Sequence, residues 1–180
     1  GQSGRVERSG RLATDTDLAQ LPVLDSRHDL DARFATAEPS PDLDAAISKA
    51  IDTLPPPGDT PALVDRFASL LARNLPMPGA PARPPSQVDA LQLAVLAQDR
   101  TVSDIAILSM TRDNAEQHLQ LWRDVVNQTP AYGADLPLYL AGMAAWITGD
   151  GATATIALER SQAAASPGPG PNLLLDALID

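Results

Sequence analysis

Proline placement constrains this 180-residue chain most, because 17 prolines divide it into short segments. Ser40-Pro41 and Thr60-Pro61 each place a capping hydroxyl directly before a proline, which is typical of a helix start. Apolar residues then recur every three or four positions, as in 43–54, and later prolines stop the helices because proline lacks an amide donor. No stretch shows the period-two alternation of a strand with a hairpin turn. The sequence therefore predicts an all-α fold, a compact bundle of about eight short helices.

The positions of the prolines also suggest how the chain is divided into segments. Residues 76–85 contain five prolines and read as a semi-rigid connector. We expect four parts: a polar, mobile tail over 1–24, N-terminal helices over 25–75, the connector over 76–85, and a C-terminal helical domain over 86–180. Residues 173–179, at the end of that domain, are predicted to form a short closing helix.

Composition excludes several classes of function. The chain has 13 Lys and Arg against 23 Asp and Glu, a net charge of −10, which disfavours a broad nucleic-acid surface. It contains no Cys and only two His, so disulfides, thiolate nucleophiles and Cys-based or His-rich metal sites are ruled out, and we expect no cofactor. No run of 18 apolar residues and no secretory leader is visible, so we expect a cytoplasmic protein without a membrane segment.

Catalytic motifs with fixed spacing are also missing. The sequence has no phosphate-binding Walker loop, no glycine-rich dinucleotide turn, no nucleophile elbow and no zinc-binding His pair. We therefore assign no catalytic residue, and an enzymatic function is disfavoured though still open.

His118 is the acid–base candidate of the second half of the chain. It lies in a predicted helix over 113–129, one turn before Trp122, and Asp113 and Glu116 precede it. One interpretation is a His–carboxylate pair in a cleft. The other is a histidine at the core boundary whose acidic neighbours form a capping box, and we favour it because that box accounts for both acids.

His28 lies among Asp25, Asp29 and Asp31, whose carboxylates could hold a hard cation. The three acids do not share one helical face, and acidic residues favour a first helical turn in any case. A capped helix start is therefore the preferred interpretation.

All Trp and Tyr residues fall between 122 and 146. They are either core residues of the second half or the lining of a small pocket or partner groove. The groove, if present, would be formed by Trp122, Tyr139 and Trp146.

Residues 138–167 resemble a tetratricopeptide hairpin. The resemblance rests on four small residues and one large one, at Gly142, Gly149, Ala154, Leu158 and Ser161. Small residues at such spacing let two antiparallel helices approach closely. Since one unit cannot bury its own face and no second copy is visible, we expect a two-helix element within a bundle. The resemblance implies binding through a helical groove.

A broader resemblance covers most of residues 22–180. The segments that carry it are 22–27, 30–34, 118–126, 138–146, 149–152 and 157–160. They are similar to the C-terminal part of the actinobacterial family called domain of unknown function 4192. Members usually carry a further N-terminal domain with strand-like segments, so the resemblance implies a C-terminal fragment or a shortened member. The family brings no established activity and no catalytic residues.

Two hypotheses for function follow. The first is a non-enzymatic protein–protein interaction or structural module, whose partner is another chain or its own missing N-terminal domain. The alternative is an accessory or lid portion of an enzyme whose catalytic domain lies in an absent N-terminal region. A hydrolase built around His118 would also need a nucleophile beside it, and the sequence places none there.

Overall fold

A computed structural model describes residues 26–81 and 83–165. The helices of these ranges are α1 (Arg27–Ala32), α2 (Pro41–Asp52), α3 (Thr60–Asn74), α4 (Gln87–Leu96), α5 (Arg100–Leu108), α6 (Ala115–Gln128), α7 (Asp135–Thr148) and α8 (Gly151–Ala165). A 3-10 turn, Ala131–Gly133, joins α6 to α7, and the described ranges contain no strand beyond a single bridge between Ala37 and Pro130. The all-α bundle is confirmed. The predicted tail over 1–24 and the closing helix over 173–179 lie outside the described residues.

Hydroxyl and carboxylate caps start the first three helices. Ser26 forms a capping box with Asp29, and Ser40 Oγ accepts a hydrogen bond from the amide of Leu43 at 3.1 Å. The cap of α3 was predicted one residue late. Asp59, not Thr60, accepts from the third helical amide, because Thr60 is already the first helical residue and Asp59 stands just outside the first turn.

Helices before and after the proline-rich connector share one hydrophobic core. Phe67 of α3 stacks on Trp122 of α6, with ring centroids 6.2 Å apart and an interplanar angle of 15°. A smaller hydrophobic cluster joins α2 to α4. The buried Gln92 side chain adds hydrogen bonds between the same two helices. Its Nε2 donates to the carbonyl of Ala50 at 3.0 Å and to Thr53 Oγ1 at 2.7 Å.

Helices α7 and α8 form an antiparallel hairpin at the C-terminal end of the described chain. Gly149 ends α7 with φ +88°, a left-handed conformation that suits glycine. Ser161 Oγ of α8 donates to the carbonyl of Asp135 at 2.7 Å, which ties the end of α8 to the start of α7. Helix α1 packs across α8, where Arg160 pairs with Asp31 at 3.0 Å.

None of the helices in the described ranges combines the length and apolar character needed to cross a membrane.

Candidate interaction surface

Helix α7 is apolar on nearly every side, and its inner side is built into the core. The inner residues are fully or almost fully buried: Leu138, Leu140, Ala141, Ala144 and Ala145. An α-helix with apolar residues all round has to be covered all round to satisfy the hydrophobic effect. The bundle covers most of α7 and leaves one side of it partly exposed.

The outer side of α7 remains at the surface of the described bundle. Tyr139 is 38% exposed and Trp146 is 68% exposed, while Leu136, Met143 and Ile147 are partly buried and pack against the edge of the hydrophobic core. These five residues recur at helical spacing and therefore share one side. We call them the α7 face.

Leu158 of α8 extends this apolar surface beyond α7. Its side chain covers Gly142, and Gly142 lies about one helical turn from both Tyr139 and Trp146. Because glycine has no side chain, the two helices approach closely and Leu158 fills the space beside the face.

Carboxylates mark both ends of the α7 face. At the N-terminal end, Asp135 Oδ1 accepts from Gln98 Nε2 at 3.0 Å. At the other end, Asp150 accepts from the amide and the hydroxyl of Thr153, at 3.0 and 2.7 Å. The apolar face therefore has an acidic residue, fixed by a hydrogen bond, beyond each end.

The three aromatic residues proposed to form a groove do not lie together. Trp122 is fully buried against Phe67 in the core, whereas Tyr139 and Trp146 lie on the α7 face. The helix register explains this separation, since Trp122 occupies the inner stripe of α6. Only Tyr139 and Trp146 are available to a partner.

His118 is fully buried in α6, deeper than the boundary position favoured from sequence. Neither ring nitrogen has a hydrogen bond, and Gln117 Oε1 and Trp122 Nε1 nearby on the helix are also buried without one. Burial lowers the pKa of His118 from 6.5 to about 4, so the ring is neutral at neutral pH. A neutral, enclosed imidazole is a packed core residue that lies out of reach of a substrate.

The capping box predicted beside His118 is wrong. Helix α6 begins at Ala115, and Asp113 and Glu116 are both exposed. Asn114 precedes the helix, but its side chain folds back to accept from the amide of Thr111 at 2.7 Å and to donate to the carbonyl of Ser109 at 2.9 Å. The Asn114 side chain does not cap α6, because it forms hydrogen bonds with two backbone groups of the preceding turn instead.

The acids around His28 make structural contacts. Asp29 completes the capping box of α1, and Asp31 pairs with Arg160. Asp25 lies outside the described residues. Within the described ranges, no group of three or more His, Cys, Asp or Glu side chains converges as a metal site would.

An open groove of about 490 Å³ lies between α1 and α6, a feature that sequence reasoning missed. Arg33, Arg123, Asp124 and Asn127 are among its lining residues. Burial raises the pKa of the Asp124 carboxyl, although Arg123 opposes the shift. Asn127 Nδ2 donates to the carbonyls of Arg33 and Ala35 at 3.0 and 2.7 Å. These hydrogen bonds hold the segment after α1 against α6, so the polar groups of the groove serve mainly to connect the two elements.

The fold and this surface define an all-helical bundle that presents one apolar helix face at the surface of its described part. The chain belongs to the family described as domain of unknown function (DUF4192), whose model matches residues 1–178. The predicted family membership is thereby confirmed, and the match also takes in the N-terminal residues that the resemblance left out. No curated protein and no solved structure matches the chain.

Proposed function

We propose that this protein is a non-enzymatic interaction module whose α7 face binds another protein. The observation that carries the proposal is Trp146, which is 68% exposed on the same helix side as Tyr139 and Met143. Single exposed apolar residues are ordinary, but a contiguous apolar patch on a protein surface marks an interaction site. Trp and Tyr are also the residues that most often dominate binding energy at protein interfaces.

The charges around the α7 face indicate the chemistry of the partner. Asp135 and Asp150 lie just beyond its two ends, and the whole chain carries a net charge of −10. A partner that buries Trp146 brings its own margin close to these carboxylates. An apolar ridge bordered by Lys or Arg would match both the face and its ends.

The state of His118 supports a binding function over catalysis. Its ring is enclosed in the core, and its lowered pKa keeps it neutral. A general acid or base has to come within hydrogen-bond distance of a substrate, which an enclosed ring cannot do without local opening. The alternative, an accessory portion of an enzyme, would use the same α7 face with an N-terminal catalytic domain as occupant.

Affinity isolation with paired variants tests the proposal. The wild-type chain, Y139S/W146S and the control M77S are used to isolate partners from extracts of the native cells. Met77 is 72% exposed but lies in the connector, away from α7. The partner is then purified and titrated. We expect Y139S/W146S to weaken binding at least tenfold while M77S has no effect.

Circular dichroism must show that all three proteins are folded. Equal partner affinity of the wild type and Y139S/W146S would contradict the proposal. A partner that carries a catalytic domain would favour the accessory role, and one without it would favour the interaction module.

A further inference from the structure

Leu108, the last residue of α5, is the most exposed large apolar side chain of the described residues, at 81%. It shares the outer side of α5 with the exposed residues Thr101 and Asp104, while Val102 and Ala106 face the core. One exposed leucine is ordinary on a protein surface. Its position relative to the α7 face therefore decides whether it contributes to binding.

Hydrogen bonds at both ends of α5 place Leu108 at the same end of the bundle as Trp146. Helix α5 packs on α7 and starts beside Asp135, the first residue of α7. Where α5 ends, Asn114 Nδ2 donates to the carbonyl of Ser109 at 2.9 Å, so α5 finishes beside the start of α6. Helices α6 and α7 have 14 residues each and run antiparallel across a short turn, so the start of α6 is level with the end of α7.

The acidic pattern of the α7 face continues onto α5. Asp104 is exposed and lies one turn before Leu108 on the same side of the helix. Arg112 and Asp113, just beyond α5, are also exposed, but their opposite charges cancel. Together with the two carboxylates at the ends of the α7 face, Asp104 borders the apolar surface with negative charge on a third side.

We propose that Leu108 is a second contact for the partner that binds the α7 face, and that this partner is a protein whose apolar surface has a basic margin and reaches from α7 to the end of α5. The inference rests on the proposed function and extends its surface. The axes of packed helices lie about 8–10 Å apart, so an interface of about 800 Å² per partner is wide enough to cover both helices. A Lys or Arg of the partner meets Asp104 when Leu108 is buried.

The purified partner, titrated against Leu108→Ser, tests the second contact. The control M77S removes an apolar side chain that is similarly exposed, in the connector. Burial of one leucine side chain corresponds to about tenfold in affinity, so we expect L108S to bind about tenfold more weakly and M77S to bind like the wild type. Both variants should unfold in urea at the wild-type midpoint, because both positions are exposed.

Asp104→Lys tests the basic margin of the partner. The control Asp52→Lys changes the net charge equally at an exposed position at the end of α2. We expect D104K to bind several-fold more weakly than D52K at low salt, with a smaller difference at 1 M salt, where exposed charges are screened. Equal affinities of D104K and D52K at low salt would overturn the basic margin.

The variants separate failure of this inference from failure of the proposed function. Wild-type affinity of L108S combined with weak binding of Y139S/W146S would overturn the second contact and leave the proposed function standing. Weak binding of L108S combined with wild-type affinity of Y139S/W146S would refute the α7 face as the site, and with it the joint surface. Wild-type affinity of both would overturn both proposals.

Discussion

Leu158 lies directly over Gly142, so that a Cβ added at Gly142 would be 2.8 Å from both Cγ and Cδ2 of Leu158. This contact sets the distance between α7 and α8 beside the α7 face. Real Cβ atoms essentially never approach a neighbour so closely, and the branched Cγ of Leu158 cannot swing aside as a flexible chain end would.

Gly142→Ala is therefore expected to destabilise the protein although alanine favours helices. Overpacking costs ~1–3 kcal/mol and the gain in helix propensity is ~1 kcal/mol, so a net loss of about 1 kcal/mol is expected. Urea unfolding measures it. In the L158A variant the clash is absent. Adding Gly142→Ala to L158A should therefore lower the free energy of unfolding by less than Gly142→Ala does in the wild type. Gly151→Ala is the matched control, because a Cβ there meets nothing within 4 Å. If G142A were as stable as G151A, the close packing of α7 on α8 would be refuted.

The Gln92 side chain should matter to stability more than an exposed glutamine does. Gln92→Leu removes both donors that reach Ala50 and Thr53 at the end of α2. Thr53 Oγ1 then loses its donor and the Ala50 carbonyl keeps only the longer bond from Thr53 Oγ1 at 3.3 Å, so the free energy of unfolding should fall by about 1–3 kcal/mol. Gln87→Leu, an exposed position on the same helix, should have little effect in the same urea titration. Equal stability of Q92L and Q87L would show that the bridge between α2 and α4 contributes nothing.

His118 should make the protein sensitive to mild acid. Its pKa falls from 6.5 in the unfolded chain to about 4 in the fold, so between these values the unfolded state binds more protons. The contribution of His118 to the free energy of unfolding is fully present above pH 6.5. It decreases as the pH drops toward 4 and changes little below that. The loss from this one group is about 3 kcal/mol.

Urea titrations at pH 7, 5.5 and 4 check this prediction. His118→Leu replaces the ring with an apolar group of comparable size and removes two unpaired nitrogens, so its stability should depend less on pH. His28→Gln, at an exposed position, should behave like the wild type. If H118L lost as much stability as the wild type over this range, the acid sensitivity would have another origin.

Local sequence rules predicted the helices well where the signal was local. Ser40 with Pro41 gave the start of α2, and Gly149 gave the end of α7, because caps and glycine conformations depend on neighbouring residues. The close approach of two helices at Gly142 was expected from the spacing of small residues that resembles a tetratricopeptide hairpin. The two helix ends need no knowledge of the tertiary structure.

Contacts between residues far apart in the chain could not be predicted from the sequence. The pattern around His118 fits a boundary position as well as a core position, and only the tertiary fold places the ring at 0% exposure. In the same way, Trp122 and Trp146 look equivalent in the sequence, yet one stacks on Phe67 and the other is exposed. One signal for the α7 face was present, since the apolar residues of α7 surround the helix. The sequence could not show which side the bundle leaves uncovered.

Photo-cross-linking from position 146 tests the central claim most directly. A benzophenone amino acid replaces Trp146 in the native cells, and a second variant of the chain carries it at Met77, which is similarly exposed but lies in the connector. The account predicts one adduct of defined mass to another protein from position 146, absent from position 77 and lost when Tyr139→Ser is added. Identical adduct patterns from the two positions, or no adduct to another protein from position 146, would contradict it.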